Sequence, residues 1–185
     1  MTALLQAIGE LVRPGLMVDG SPIRLEETDP GSTCKPVTLS RTGPALVLKL
    51  DVPFQACPRP GCQLTFAAND RIFPLFRTDQ KGFSAVCDYI IFCQEQSPSG
   101  SATYYALLCE LKSGGVTGSM KQLENACLLI DYIIAMAQHH SSLGGRLSIE
   151  KRGIVFSTRF AVPKGQLRKN RCQYQAFGAR PLRHL

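Results

Sequence analysis

Two acidic residues interrupt two short apolar runs of this chain, and this pattern limits the folds that it can adopt. Asp88 lies within the apolar run 86–93, and Glu110 lies within the run 104–112. Both runs are short and rich in β-branched and aromatic residues, which predicts two buried strands. An ionised carboxylate inside such a strand costs several kcal/mol of desolvation unless something compensates its charge.

The segment between the two runs predicts that they form an antiparallel hairpin. Residues 94–103 are polar and contain Pro and Gly, as turns do. A pairing centred on this loop places Asp88 opposite Glu110, within about one residue of register, with Cβ atoms roughly 5 Å apart. Like charges at that separation repel, and a hard divalent cation such as Mg²⁺ removes the conflict by binding both. Lys112 lies on the same face as Glu110, because side chains alternate along a strand.

The spacing of these residues resembles a known nuclease signature. Asp88 followed by Glu110-Leu111-Lys112 is similar to the Asp…Glu-x-Lys motif of the PD-(D/E)XK, restriction-endonuclease-like nuclease superfamily. The block 83–92 resembles the second core strand of that superfamily. The segment from Glu110 to Leu123 resembles its third strand and the helix that follows. The resemblance covers about residues 70–160.

The resemblance implies a role for each motif residue. Asp88 and Glu110 would bind Mg²⁺ or Mn²⁺, helped by the backbone carbonyl of Leu111. Lys112 would help to position and activate the attacking water. In many members a Gln on the following helix faces the active site, which gives Gln122 a catalytic role.

Two features of this region also have structural explanations. Glu110 and Lys112 could form a surface ion pair at a strand end, with Asp88 near water at the start of its strand. Ser119 and Gln122 match a capping box, with Ser119 as the N-cap of a helix that runs to about His139. Both explanations of Gln122 stay open at the level of sequence.

The length of 185 residues predicts one α/β domain, large enough to bury its own core. We expect a mixed central sheet of four to five strands flanked by helices, in the core order α-β-β-β-α-β. The domain would span residues 1–160 and contain an irregular excursion at 15–43. Predicted elements outside the motif are a helix at 2–12 and strands at 45–52, 71–76 and 153–158. Residues 161–185 form a basic C-terminal segment that is expected to pack loosely.

Positive charge is concentrated in the last 35 residues of the chain. The net charge is +7, and nine basic residues but no acidic ones lie after Glu150. This asymmetry favours a polyanion partner, most simply a nucleic acid, with DNA preferred over RNA. A solvated basic tail is the alternative. The residues expected to contact nucleic acid are Lys121, Lys164, Arg168, Lys169 and Arg171.

The eight cysteines are expected to be reduced, because the N-terminus lacks a secretory signal. No apolar stretch is long enough to span a membrane, which predicts a cytoplasmic protein without a membrane partner. Cys57 and Cys62 flank a turn and could supply half of a structural Zn²⁺ site, completed by Cys34, Cys172, His139 or His140. No second paired motif supports zinc, so it is the less favoured interpretation.

These observations favour a metal-dependent endonuclease that hydrolyses phosphodiester bonds of nucleic acid. The alternative is a non-catalytic nucleic-acid-binding or protein-interaction module with the same fold. A third interpretation is a zinc-stabilised regulatory protein in which Cys57 and Cys62 carry the function. The sequence leaves open a homodimer or a partner protein.

Overall fold

The computed structural model describes several stretches of the chain between residues 2 and 178. The described residues are 2–27, 30–41, 43–51, 85–96, 102–114, 117–141, 143, 147 and 149–157, together with the backbone of 173–178. The predicted strand at 71–76 and the Cys57–Cys62 turn lie outside these residues.

The described residues form two α-helices, a short 3₁₀ turn and seven strands. In chain order they are α1 (Ala3–Leu11), the 3₁₀ turn (Pro14–Leu16), β1 (Ile23–Leu25), β2 (Val37–Leu39), β3 (Ala45–Lys49), β4 (Tyr89–Gln96), β5 (Ala102–Lys112), α2 (Ser119–His140), β6 (Ile149–Ser157) and β7 (Gln173–Gly178).

The central sheet is mixed and has the strand order β3-β4-β5-β6-β7. The pairs β3–β4 and β4–β5 are antiparallel, whereas β6 runs parallel to β5 and β7 runs parallel to β6. A parallel neighbour requires a long crossover, and α2 provides it between β5 and β6. The α/β class, the mixed sheet and the α-β-β-β-α-β order are therefore confirmed.

Two segments that were predicted to be irregular contribute strands. The excursion at 15–43 contains β1 and β2, which form a separate antiparallel pair. The C-terminal segment, expected to pack loosely, contains β7 at the edge of the central sheet. That expectation is wrong for residues 173–178, because their backbone continues the ladder beyond β6.

The hairpin of β4 and β5 has the register that the sequence predicts. Tyr89 pairs with Cys109, and the ladder continues to Gln96 opposite Ala102. The ladder ends at the Tyr89–Cys109 pair, and its register continued by one residue on each strand places Asp88 opposite Glu110. The two acids therefore meet at the end of the hairpin that lies away from its loop.

The two faces of the sheet are covered differently. One face packs against both helices, since Leu48, Ile90 and Leu108 share a core with buried side chains of α1 and α2. The other face packs against the β1–β2 pair, where Ile23 and Leu25 contact alternate residues of the same strands. Both faces are buried because the strands are continuously apolar, as in β4, where the four consecutive residues Tyr89–Phe92 are all buried.

Helix α2 begins differently from the capping box that the sequence predicts. The N-cap is Gly118, whose φ of 87° lies in the left-handed region that glycine adopts readily. Ser119 is the first helical residue and is buried, and its side chain makes no capping hydrogen bond. The predicted role of Ser119 as N-cap is wrong, because the turn at Gly118 already directs the chain into the helix.

Helix α2 lays an apolar stripe on the sheet, with Leu123, Ala126 and Ile130 fully buried. Neither helix in the described part of the chain is long and apolar enough to cross a membrane. On the same helix Cys127 is disulfide-bonded. This corrects the expectation that all the cysteines are reduced.

Candidate functional site

The predicted motif residues meet at one end of the β4–β5 hairpin, below the first turns of α2. Asp88 immediately precedes β4, and Glu110 and Lys112 lie in the last three residues of β5. Gln122 is the fourth residue of α2 and points back at the strand, because its amide contacts Lys112. Residues separated by up to 34 positions in the sequence thus form one cluster.

Glu110 and Lys112 form an ion pair in which the acid is fully buried. The carboxylate of Glu110 has no solvent exposure, whereas the Lys112 side chain keeps 26% of its surface exposed. Burial raises the pKa of Glu110, and the Lys112 ammonium opposes that rise. The pair is therefore not the exposed surface ion pair that was the alternative from sequence. A hydrogen bond from the Asp88 backbone also lowers the pKa of Glu110, so the buried carboxylate has two protein partners.

Gln122 holds the Lys112 ammonium in place. Its Oε1 accepts a hydrogen bond of 3.0 Å from Lys112 Nζ, and its Nε2 donates one of 3.4 Å to the Val86 carbonyl. One turn later Asn125 Nδ2 donates to the Ala85 carbonyl at 2.8 Å. These bonds tie α2 to the segment that precedes Asp88. The side chain of Gln122 faces the candidate site rather than capping its own helix.

Asp88 is buried beside Glu110 and accepts a 2.6 Å hydrogen bond from the Leu111 amide at Oδ2. Burial, followed by the charge of Glu110, raises the pKa of Asp88 to about 8, although the Leu111 amide opposes the rise. Two buried acids whose charges repel each other disfavour double ionisation unless a cation is present. Asp88 and Glu110 therefore fit a divalent cation, which would neutralise the charge that the fold concentrates there.

Two further acids approach Asp88, and sequence reasoning did not select them. Carboxylate oxygens of Glu27, Asp51 and Asp88 all lie within 4.8 Å of one another. Asp51 comes close because the Leu50 amide, just after β3, donates a 2.7 Å hydrogen bond to the Asp88 carbonyl. A polar residue at the end of a third strand was the available signal for Asp51. Nothing in the sequence distinguishes Glu27 from Glu26 or Glu10.

The backbone beside Glu27 is fixed by a buried tyrosine. The Tyr89 hydroxyl accepts a 2.9 Å hydrogen bond from the Glu26 amide and donates a 2.8 Å bond to the Glu26 carbonyl. Lys49 Nζ also lies 3.4 Å from that carbonyl. Tyr89 is almost completely buried in the sheet. The end of β1 is therefore held rigidly above the start of β4, next to Asp88.

The connection between β1 and β2 is also attached to the end of β5. The Ser32 and Ser113 hydroxyls lie 2.6 Å apart, and the Thr33 amide donates a 2.9 Å bond to Ser113 Oγ. Cys34 lies close to this attachment, where burial and then the charge of Glu27 raise the pKa of its thiol. Of the other predicted zinc ligands, Cys57, Cys62 and Cys172 lie outside the described residues, whereas His139 and His140 are exposed at the end of α2.

The residues expected to contact nucleic acid are divided between the described and undescribed parts of the chain. Lys121 is exposed in the first turn of α2, one residue before Gln122. Lys164, Arg168, Lys169 and Arg171 lie outside the described residues. One of the five predicted contacts therefore lies beside the candidate site.

The chain matches no protein-family model, no curated protein and no solved structure. The resemblance to PD-(D/E)XK nucleases therefore stays a prediction that depends on the residues and their arrangement.

The raised pKa of Asp88 predicts that the metal-free protein loses stability as the pH rises. Between the unfolded value near 4 and the folded value of about 8, the native state binds more protons than the unfolded state. The contribution of Asp88 to stability is therefore fully present below about pH 4 and is lost as the pH rises through about 8. We expect the thermal midpoint in EDTA to fall by about 5 °C or more between pH 5 and pH 8.

Asp88→Asn should remove much of this pH dependence and raise the midpoint at pH 8. Thermal unfolding in EDTA at both pH values measures the effect, with Asp19→Asn at an exposed position as the control. Equal slopes against pH in the wild type and Asp88→Asn would contradict the prediction.

Proposed function

We propose that this protein is a metal-dependent nuclease that hydrolyses phosphodiester bonds of nucleic acid. The observation that carries the proposal is the buried Glu110–Lys112 ion pair directly beside Asp88, with Gln122 bonded to the lysine. A half-buried lysine held by a buried acid and an amide, next to a second buried acid, costs stability that an ordinary strand end avoids. Such arrangements are typical of functional sites.

Three groups of this chain would hold the cation: the carboxylates of Asp88 and Glu110, and the backbone carbonyl of Leu111. When bound, a divalent cation lowers the pKa of a water molecule and offsets negative charge on a phosphate. The Leu111 amide fixes Oδ2 of Asp88 and thereby orients its carboxylate. The buried carboxylate of Glu110 offers a second oxygen of the same kind.

Lys112 would act on the phosphate and the attacking water as a charged hydrogen-bond donor. Its ion pair with Glu110 and its hydrogen bond to Gln122 position Nζ as a hydrogen-bond donor. Its partly exposed position allows Nζ to reach a ligand while Glu110 and Gln122 hold it. A donor fixed in this way stabilises charge that grows on phosphate oxygens in the transition state.

The basic residues support a nucleic-acid substrate, with DNA preferred. Lys121 is exposed one residue from Gln122, where it would meet the backbone of a strand bound at the site. Further phosphate contacts would come from Lys164, Arg168, Lys169 and Arg171. Binding that depends on such contacts weakens steeply as the salt concentration rises.

The test is cleavage of plasmid, single-stranded DNA and structured RNA with Mg²⁺ or Mn²⁺. We expect cutting by the wild type that EDTA abolishes and that Asp88→Asn lacks, whereas Asp19→Asn cuts normally. Cleavage that persists in EDTA or in Asp88→Asn would overturn the proposal. Salt-sensitive binding without cleavage of any of these substrates would also overturn it, in favour of a non-catalytic nucleic-acid-binding module.

A further inference from the structure

We propose that the N-terminus of α2 is a phosphate-binding site, in which backbone amides and the Ser119 hydroxyl hold a phosphate group of a nucleic acid beside Lys112. This inference deepens the proposed function and rests on it for the identity of the phosphate as part of a nucleic acid. Apart from Lys112, the groups that bind the phosphate lie outside the nuclease motif.

The start of α2 has the backbone groups that an anion requires. The helix is 22 residues long, and its first turn is closed by a 3.3 Å hydrogen bond from the Gln122 amide to the Gly118 carbonyl. The amides of Ser119, Met120 and Lys121 precede this bond, so they have no acceptor within the helix. Their partial positive charges form the positive end of the helix dipole, which attracts anions.

No side chain of the helix itself occupies this position. The N-cap is Gly118, which makes no side-chain capping bond, and the first turn contains no acidic residue. A methyl group added at Gly118 would meet no atom of the described residues within 4 Å, so space remains open beside the N-cap. A helix end without a side-chain cap leaves its amides to water or to a ligand.

A second observation points to a ligand at the same helix end. Ser119 is only 1% exposed, and its Oγ has no hydrogen-bond partner among the described residues. Side chains in a helix tilt toward its N-terminus, so the hydroxyl of this first helical residue extends toward the open end of α2. Its spacing from Gln122 and Leu123 places it on the face of α2 that meets Lys112 and the sheet. Buried hydroxyls are normally hydrogen-bonded, and a phosphate oxygen would supply the missing partner.

Two lysines lie at this end of the helix. Lys112 Nζ donates a 3.0 Å hydrogen bond to Gln122 Oε1, in the first turns of α2, and its side chain is 26% exposed. Lys121 is exposed within the first turn. Because Glu110 offsets the charge of Lys112, the ligand is selected mainly by converging hydrogen-bond donors. Phosphate fits such donors, since it accepts hydrogen bonds through several charged oxygens.

The experiment measures binding of inorganic phosphate to the full chain in EDTA, by calorimetry and by the rise in thermal midpoint. We expect Ser119→Ala to weaken phosphate affinity by about 10-fold, because a hydrogen bond to a charged group is lost. Without phosphate, the midpoint of the same variant should be about 2–4 °C higher, because a buried hydroxyl that lacks a partner has been removed. A serine that only supported the fold would give a lower midpoint and unchanged phosphate affinity.

A second variant tests the helix end at an exposed position. Met120→Glu adds a carboxylate to the first turn, where it competes with phosphate for the amides, and should weaken phosphate affinity by about 5-fold or more. Leu128→Glu is the matched control, because it adds the same charge at an exposed position about two turns further along α2. We expect its phosphate affinity to stay within about twofold of the wild type, because the dipole effect is confined to the first turn.

The outcomes separate this inference from the proposed function. No phosphate binding to the wild type, or wild-type affinity in both Ser119→Ala and Met120→Glu, would overturn the inference. If Mn²⁺-dependent cleavage occurs while these two variants bind phosphate normally, the nuclease proposal stands without it. If no substrate is cut but both variants lose phosphate affinity, the phosphate site stands and the nuclease proposal fails.

The source of the phosphate is identified by competition against inorganic phosphate. The competitors are thymidine oligonucleotides of one length, with and without a 5′-phosphate. Stronger competition by the phosphorylated strand, lost in Ser119→Ala, would assign the site to a terminal phosphate. Equal competition by both strands, weakened in Ser119→Ala, would assign it to an internal phosphodiester. Competition by neither strand would overturn the assignment to nucleic acid.

Discussion

Replacing Glu110 by Gln and Lys112 by Met in the same chain is expected to lower cleavage by about 100- to 1000-fold without unfolding the protein. Glutamine and methionine have nearly the size of the residues that they replace, so the packing beside Leu111 and Gln122 is kept. Removing both charges together leaves no unpaired ion inside the sheet. The variant loses the donor that stabilises the reacting phosphate and one oxygen ligand of the cation.

The measurement is the single-turnover cleavage rate on the substrate that the wild type cuts best, together with nucleic-acid affinity. We expect affinity to change by less than about threefold, because Lys112 is one charge among many on a basic protein. The matched control is Asp131→Asn with Lys151→Met, which removes another lysine–acid pair between α2 and β6. A cleavage rate equal to that of this control would show that the Glu110–Lys112 pair is structural only.

The part of the site that the sequence predicts is the part built from neighbouring strands. The centre of the loop sets the register of β4 and β5, and this register, continued one residue beyond the ladder, brings Asp88 opposite Glu110. Lys112 lies two residues after Glu110 on the same strand, so the alternation of side chains places both on the same face of the sheet. This conclusion requires no knowledge of the rest of the fold. Local rules were sufficient because the hairpin is itself a local structure.

Glu27 and Asp51 could not be predicted in this way. Glu27 follows a strand of only three residues in a segment rich in Pro, Gly and Ser, which has no clear apolar period. Its position depends on hydrogen bonds to Tyr89, which lies 63 residues away from Glu26. Contacts at such separations follow from tertiary packing, which propensities and spacing do not encode.

The errors at α2 and β7 have similar causes. The pattern Ser119-x-x-Gln122 satisfies the capping-box rule, but Gly118, with its positive φ, is the N-cap of the helix. The Gln122 side chain binds Lys112 and therefore does not cap the helix. Residues 173–178 have several polar side chains and few β-branched ones. Their strand is explained by the exposed edge of β6, which accepts a further parallel neighbour.

Removing Lys112 alone is expected to destabilise the protein far more than removing the pair. In Lys112→Ala the carboxylate of Glu110 stays fully buried without its ammonium partner. Breaking a buried pair on one side costs about 3–5 kcal/mol, because an uncompensated charge is left behind. Uptake of a proton by Glu110 limits this cost, so the loss is larger at pH 8 than at pH 5. Chemical denaturation in EDTA at both pH values measures it.

Glu110→Gln in the Lys112→Ala background should restore most of the lost stability, because the amide carries no charge. A double-mutant cycle then gives a coupling energy of about 2 kcal/mol or more, at the upper end of that found for residues in contact. Lys151→Ala is the control, since its partner Asp131 is 65% exposed and an exposed pair contributes about 0–1 kcal/mol. Additive effects of Lys112→Ala and Glu110→Gln would contradict a buried, mutually dependent pair. They would also remove the electrostatic basis for a lysine held as a charged donor at this site.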